Sequence, residues 1–128
     1  MERVWNNGDF SQIETLVAAA YEIKHDPDDP WEGQVIGIDV FKERVLYSRN
    51  AFPDLRFDIQ EMIAEDDKVV SSWIMSGTHL GDLPQLPATA KPFAISGMTI
   101  YYFAAGKVCG HWQAYDRLGF LGQIGFLG

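Results

Sequence analysis

The first candidate for acid/base chemistry in this chain is an aspartate near the end of a predicted strand. Strict alternation along residues 108–116 places Val108, Trp112 and Asp116 on one face of that strand. A carboxylate beside a tryptophan on an internal face is poorly solvated, so Asp116 could exchange protons near neutral pH. The alternative interpretation is an exposed aspartate that caps the next turn. The spacing alone leaves both interpretations open.

The three histidines add candidate proton donors. His79 follows a predicted strand and precedes a proline-containing loop, where it could face the mouth of a pocket. His25 opens the Asp/Pro-rich segment 25–33, and an exposed loop residue is the alternative there. His111 points to the face opposite Trp112. Because the spacing of these histidines matches no helix-borne ligand motif, we predict no metal site.

Composition limits the class of protein. The 128 residues predict a single domain spanning 1–128. Ten Lys and Arg against 18 Asp and Glu give a net charge of −8, which disfavours nucleic acid as a partner. The sequence shows neither a membrane-spanning apolar run nor a secretory signal. With Cys109 as the single cysteine, it favours a reducing, cytoplasmic setting.

The aromatic content of the chain is high. Four Trp, five Tyr and eight Phe make up 13% of the chain, which is more aromatic surface than a small core needs. Aromatic side chains commonly line ligand cavities. The excess therefore predicts a hydrophobic pocket.

The elements that must position these residues begin with helices. The first is predicted to stop at Asn7-Gly8, and Ser11 and Glu14 stand at capping-box spacing before a helix that runs to about Tyr21. A further helix begins near Ile38 and ends before Phe52-Pro53. Prolines and aspartates make segment 25–33 a loop.

The second half of the chain is predicted to be mostly strands. Residues 55–60 alternate between apolar and polar side chains, and residues 69–78 and 93–103 are rich in residue types that favour strands. Residues 107–116 form the fourth predicted strand, after a turn at 105–106. Residues 80–91 form a loop, and residues 118–127 form a short irregular closing segment. We therefore predict an α+β domain in which a curved antiparallel sheet folds over N-terminal helices and encloses a hollow.

Several stretches in order along the chain resemble the SnoaL-like polyketide cyclases, a branch of the nuclear transport factor 2-like superfamily. They are 5–9 (WNNGD), the His25 loop, 52–57 (FPDLRF), 65–70 (EDDKVV), 77–81 (GTHLG), 106–108 (GKV), 112–116 (WQAYD) and 121–125 (LGQIG). The resemblance implies a cone-shaped fold with an enclosed apolar pocket. It also implies a homodimer that uses no cofactor.

The resemblance also implies roles for individual residues. An aspartate at the position of Asp116 is the general acid/base of an intramolecular aldol condensation in these cyclases. His79 would then be the donor or proton relay, with His25 as a second candidate. The side chains expected to line the pocket are Trp73, Trp112, Phe52 and Tyr47. The expected function is therefore a cofactor-free acid/base enzyme acting on a small hydrophobic carbonyl compound.

Two other classes of function fit the same residues. One is a non-catalytic pocket protein that binds or carries an apolar molecule. The other is a dimeric interaction module whose pocket is filled by its own side chains, since one fold hosts many functions.

Overall fold

The computed structural model describes residues 2–126, with side chains from residue 4 onward. Its elements, in chain order, are α1 (Glu2–Asn7), α2 (Ile13–Leu16), β1 (Val17–His25), β2 (Val35–Ile36), α3 (Ile38–Ala51), β3 (Arg56–Glu65), β4 (Lys68–Thr78), β5 (Pro92–Ala104), β6 (Lys107–Tyr115) and α4 (Arg117–Gln123). Strands supply most of the regular structure, and α3 is the longest helix described.

The strands form one open, curved six-stranded sheet in the order β2-β1-β6-β5-β4-β3. The β1–β6 pairing is parallel, which the predicted antiparallel sheet did not include, and the other pairings are antiparallel. Helix α3 packs against β1, and α1 packs against β3. The α+β class with a curved sheet is thus confirmed. No helix within residues 2–126 combines the length and hydropathy that crossing a bilayer requires.

The predicted helix up to Tyr21 is wrong beyond Leu16, because Val17 begins β1. Its apolar residues fit a helical spacing, but the segment obtains its hydrogen bonds from β2 and β6, and tertiary pairing overrides local propensity. The predicted capping box is also not formed. Gln12 occupies the N-cap of α2 without a side-chain hydrogen bond.

The closing segment is a second correction. Residues predicted to be irregular form α4, although Gly119 and Gly122 lie within it. The Asp116 side chain caps this helix, and its first turns bury Phe120 and Leu121. Capping and burial together offset the low helix propensity of glycine.

A bulge in β6 decides which side chains face the helices. Tyr102 pairs with Gly110 but Phe103 pairs with Val108, so Cys109 is an extra residue in the ladder. Beyond the bulge the alternation reverses, and His111 becomes the buried neighbour of an exposed Trp112. The predicted common face of Val108, Trp112 and Asp116 is therefore wrong, since a bulge breaks the period of two.

The buried apolar side chains other than Trp73 form two groups. The first core comprises Val4, Ile13, Val17, Tyr21, Ile23, Ile36, Phe41, Val45 and Val108. The second core comprises Ala51, Phe52, Leu55, Phe93, Ile95, Phe120, Leu121 and Ile124. Trp5 packs against both groups. The sheet is thus covered on its concave side by two adjoining cores with different polar neighbours.

Candidate active site

Three side chains form a hydrogen-bonded chain beside the first core. Asp26 Oδ2 lies 2.7 Å from His111 Nε2, and His111 Nδ1 lies 2.6 Å from the Tyr21 hydroxyl. The residues are only 4%, 2% and 1% exposed, in that order. An acid, an imidazole and a phenol in direct contact and shielded from water are the groups that general acid/base chemistry uses.

Two neighbouring strands place these residues. The bulge at Cys109 turns His111 inward on β6, and the parallel pairing sets His111 opposite Ile23 of β1. Tyr21 precedes Ile23 by two residues and therefore shares its buried face. Asp26 directly follows the end of β1. The sheet thus supplies all three residues from adjacent backbone.

Arg44 on α3 holds the acidic end of this chain. Its Nη2 donates to Asp26 Oδ2 at 2.8 Å, and its Nε donates to Asp29 Oδ2 at 2.6 Å. The guanidinium is buried and also lies 5.1 Å from the ring of Trp5. A buried charge pair is tolerated when the partners are well hydrogen-bonded, as these are. Arg44 thereby fixes loop residues 26 and 29 over the first core.

The protonation states follow from burial. Burial lowers the pKa of His111, and the nearby Arg44 charge lowers it further, although the hydrogen bond to Asp26 works in the opposite direction. Burial also raises the pKa of Tyr21 well above its usual value. In the neutral tautomer with its proton on Nε2, His111 donates to Asp26 Oδ2, and Nδ1 accepts the Tyr21 proton. The chain is therefore ordered as a donor, a neutral base and an orienting carboxylate.

A second line of polar side chains crosses the concave face to the same carboxylate. Trp73 Nε1 donates to Thr99 Oγ1 at 2.9 Å, and Thr99 Oγ1 donates to Gln113 Oε1 at 2.8 Å. Gln113 Nε2 in turn lies 3.4 Å from Asp26 Oδ1. Trp73 packs against Gly97, where an added Cβ would come within 2.3 Å of its ring. The site thus continues from β6 through β5 to β4.

Asp116 lies outside this arrangement. Its side chain is exposed, and Oδ1 accepts a 2.9 Å hydrogen bond from the backbone N–H of Gly119 at the start of α4. The structure therefore shows the capping geometry that was the alternative interpretation of this residue. Its expected role as the catalytic base stays a prediction.

The two other predicted catalytic residues lie in different surroundings. His79 is fully buried beside Phe52, with ring centroids 5.9 Å apart. His25 is half-exposed, stacks on Trp112 at 4.4 Å and lies 3.5 Å from Glu32. Across residues 2–126, no hydrogen bond joins His79 or His25 to Asp116. The structure does not bring the three predicted catalytic residues together.

The predicted lining residues divide in the same way. Trp73 is buried on the concave face and Phe52 belongs to the second core, whereas Tyr47 is half-buried with its ring edge against Trp31 at 5.6 Å. Trp112 is 41% exposed on the convex face, because the bulge reverses its side. A surface groove is found at the β3–β4 hairpin, lined by Ile63, Glu65, Asp66, Lys68 and Val70. The enclosed pocket stays a prediction.

The sequence analysis missed Asp26, Tyr21 and Arg44. Arg44 gave a usable indication, because it stands three residues after Phe41 and one before Val45, on the apolar face of the predicted helix. A charged residue at a core position needs a buried partner, and the nearby aspartates of 26–29 are the obvious candidates. In the part of the chain the structure describes, no group of three or more His, Cys, Asp or Glu side chains could hold a metal ion.

These features define the class as an α+β domain with acid/base side chains on the concave face of a curved sheet. The profile of the SnoaL-like polyketide cyclases matches residues 1–124, and the chain belongs to this family.

Solved structures agree with that assignment. A provisionally assigned polyketide cyclase from Acidithiobacillus ferrooxidans is 43% identical, with a TM-score of 0.87 over 96% of this chain and 87% of the other. TsrD from Streptomyces laurentii is 24% identical, with a TM-score of 0.81 over 97% and 88% of the two chains. A SnoaL-like polyketide cyclase from Agrobacterium tumefaciens is 18% identical, with a TM-score of 0.74 over 95% and 90%. The last two show the fold alone. The comparison with curated proteins gave no match.

Proposed function

We propose that this protein is a cofactor-free enzyme that performs acid/base chemistry on a small hydrophobic carbonyl compound, with His111 as the base. The observation that carries the proposal is the buried contact of 2.7 Å between Asp26 Oδ2 and His111 Nε2, with Tyr21 on the other ring nitrogen. The family and its expected small-molecule substrates support the same conclusion.

The chemistry needs a base for a proton next to a carbonyl and a donor for the oxygen that becomes negative. In the proposed reaction, Tyr21 turns its O–H from His111 to the substrate carbonyl oxygen. The freed Nδ1 of His111 removes the α-proton, and the electron pair of the broken C–H bond forms the enolate. Asp26 stabilises the imidazolium that results.

The same groups complete an intramolecular aldol condensation. The enolate carbon attacks a second carbonyl of the substrate, and a carbon–carbon bond forms. The imidazolium of His111 returns its proton to the new alkoxide oxygen, so no net charge remains. Trp73 is buried on the same side of the sheet and is linked to Asp26 through Thr99 and Gln113.

Proton exchange tests the proposal without knowledge of the natural substrate. The probe is 2-tetralone in deuterated water, with loss of its α-protons followed by NMR. We expect His111→Gln to slow enzyme-catalysed exchange by roughly 10²–10⁴-fold, the usual contribution of a general base. Asp26→Asn should slow it less, because the imidazole remains. Circular dichroism checks that both variants fold.

Asp116→Asn is the matched control, because it also neutralises one aspartate but lies at an exposed cap. Unchanged exchange in this variant removes Asp116 from the mechanism. If Asp116→Asn abolishes exchange while Asp26→Asn and His111→Gln keep it, the base is Asp116 and our assignment fails. Tight binding of 2-tetralone without any exchange would favour the non-catalytic pocket protein.

We also propose that the protein is a homodimer joined through the convex face of its sheet. Met98 is 54% and Trp112 is 41% exposed there, beside Ile100 and Ala114, their partners in the β5–β6 ladder. Contiguous exposed apolar side chains on a sheet face typically mark an interface. Trp112→Lys should shift sedimentation from dimer to monomer. A monomeric wild-type protein at micromolar concentration would contradict the proposal.

A further inference from the structure

His79 has an unusual environment for a polar side chain. The residue is 0% exposed, and within the described part of the chain its Nε2 contacts no hydrogen-bond partner. Nearly all buried polar atoms in native proteins are hydrogen-bonded, and an unsatisfied one costs about as much as a lost hydrogen bond. This nitrogen therefore needs a partner that the side chains of residues 4–126 do not supply.

The other ring nitrogen defines what that partner must do. Nδ1 of His79 lies 3.3 Å from Thr89 Oγ1, a hydroxyl that can either donate or accept. In a neutral imidazole, Nε2 therefore carries either a proton or a lone pair, depending on the direction of this bond. A hydroxyl group satisfies both cases, because it can donate and accept.

The surroundings of His79 are apolar and aromatic. Its ring lies against Phe52, which makes edge contacts with Phe93 at 4.9 Å and with Phe120 at 5.8 Å. A cover loop, residues 80–91, adds Leu83 and Leu86 to this second core. An apolar molecule would therefore be bound by the same burial that holds these two leucines.

The cover loop is fixed at its base and closed on itself. His79 N–H donates to Lys91 O and Ala90 N–H donates to His79 O, which ties the two ends together. Asp82 Oδ1 accepts from Ala88 N–H at 2.7 Å, and Leu83 pairs with Leu86. Residues 82–88 therefore form one hydrogen-bonded unit.

Two residues of the cover loop have strained backbone conformations. Gln85 and Ala90 have φ angles of 61° and 57°, a region that costs non-glycine residues about 1 kcal/mol or more. Loops that cover ligand sites are commonly drawn from the less stable parts of a structure. Displacement of Leu83 and Leu86 would open the apolar space next to His79.

We propose that the second core, beneath the cover loop, binds a small apolar alcohol or phenol whose hydroxyl hydrogen-bonds to Nε2 of His79. The apolar part of the ligand takes the space that Leu83 and Leu86 fill when the loop is closed. This binding site uses none of Asp26, His111 and Tyr21, and it does not rest on the proposed function.

The test compares two probes of nearly equal shape, phenol and toluene. Protein labelled with ¹⁵N on its histidine rings is titrated with each, and ring resonances and dissociation constants are measured by NMR. We expect phenol to move the Nε2 resonance of His79 and to bind roughly three- to tenfold more tightly than toluene, the effect of one hydrogen bond. The His111 resonances should stay in place.

Variants separate the hydrogen bond from the apolar space. His79→Phe should remove the preference for phenol, and His79→Gln, which keeps a polar group, should retain part of it. Leu86→Ala should tighten binding of both probes at an unchanged ratio, whereas Val35→Ala, an exposed position on β2, should change nothing.

The proposal is overturned if phenol and toluene bind equally or if the His79 resonance does not move. It is also overturned if Leu86→Ala leaves both affinities unchanged, because the ligand would then lie elsewhere. A buried water that stays on Nε2 in the presence of phenol would give the first result. None of these results bears on proton exchange at His111, so the two proposals fail separately.

Discussion

His111 and His79 are the two buried histidines of the described chain, and they differ in the number of their partners. His111 is bonded through both ring nitrogens, to Asp26 and to Tyr21. His79 contacts Thr89 through one nitrogen, and its other nitrogen has no hydrogen-bond partner among the residues that the structure describes. The comparison teaches that burial alone does not define a role. A satisfied histidine is part of an internal network, whereas an unsatisfied one indicates a missing ligand atom.

We expect the largest effect on the His111 network from removing the charge of Arg44, which holds the carboxylate of Asp26. Arg44→Met leaves the carboxylates of Asp26 and Asp29 buried without their partner. We expect a loss of about 3–5 kcal/mol in the free energy of unfolding. Urea denaturation followed by tryptophan fluorescence measures it. A loss below about 1 kcal/mol would show that water reaches these carboxylates.

The same substitution at the two histidines should have different effects. His111→Phe leaves Asp26 and Tyr21 without a partner and should destabilise the protein by about 1–3 kcal/mol. His79→Phe removes an unsatisfied nitrogen and should stay within about 1 kcal/mol of wild type or be more stable. Urea denaturation of both variants measures the two changes in the free energy of unfolding. Equal losses at the two positions would mean that His79 has a partner after all.

The pH dependence of the free energy of unfolding tests the environment of His111 separately from that of His79. Because burial lowers the pKa of His111, the unfolded chain binds the proton more readily than the folded one. The stability should therefore fall as the pH drops below about 6.5, the ordinary histidine value, by at most about 1.4 kcal/mol per pH unit for this group. Subtracting the curve of His111→Phe from that of wild type isolates the effect. Identical slopes between pH 5 and 7 would contradict it.

The smallest expected effect concerns the exposed cap at Asp116. Asp116→Ala should cost about 1 kcal/mol of stability, and Asp116→Asn only a few tenths, because asparagine caps helices equally well. Thermal unfolding measures both variants. A much larger loss in Asp116→Asn would show that the charge, and not the cap, is what the structure needs.

Local patterns were sufficient for much of the fold. The helix that ends before Phe52, the turn at 105–106 and the loop 80–91 are where the spacing predicted them. These features depend on residues close together in sequence, which is where propensity and turn chemistry are informative. Two elements were missed. One is helix α4, and the other is β1, which pairs with β2 and with β6, a strand about 90 residues away.

The site was harder to predict because it depends on non-local contacts. From the sequence, His111 was placed on the face opposite Trp112 but was not among the predicted catalytic residues. Its partners Asp26 and Tyr21 come from the opposite end of the chain. The predicted common face of Trp112 and Asp116 was wrong because β6 contains an extra residue, Cys109. No residue propensity indicates such a bulge. A bulge is a property of two paired strands, and one strand read alone does not contain it.

Cys109 adds one residue of chain length to β6, and the ladder absorbs it as a bulge. Val108 and His111, three residues apart, therefore both face the helices. Deleting Cys109 would leave Val108 opposite Phe103 and Gly110 opposite Tyr102 in a regular ladder, so His111 would still face inward. A single codon gained at this point can thus be taken up by a bulge, while the row of interior side chains beyond it stays unchanged.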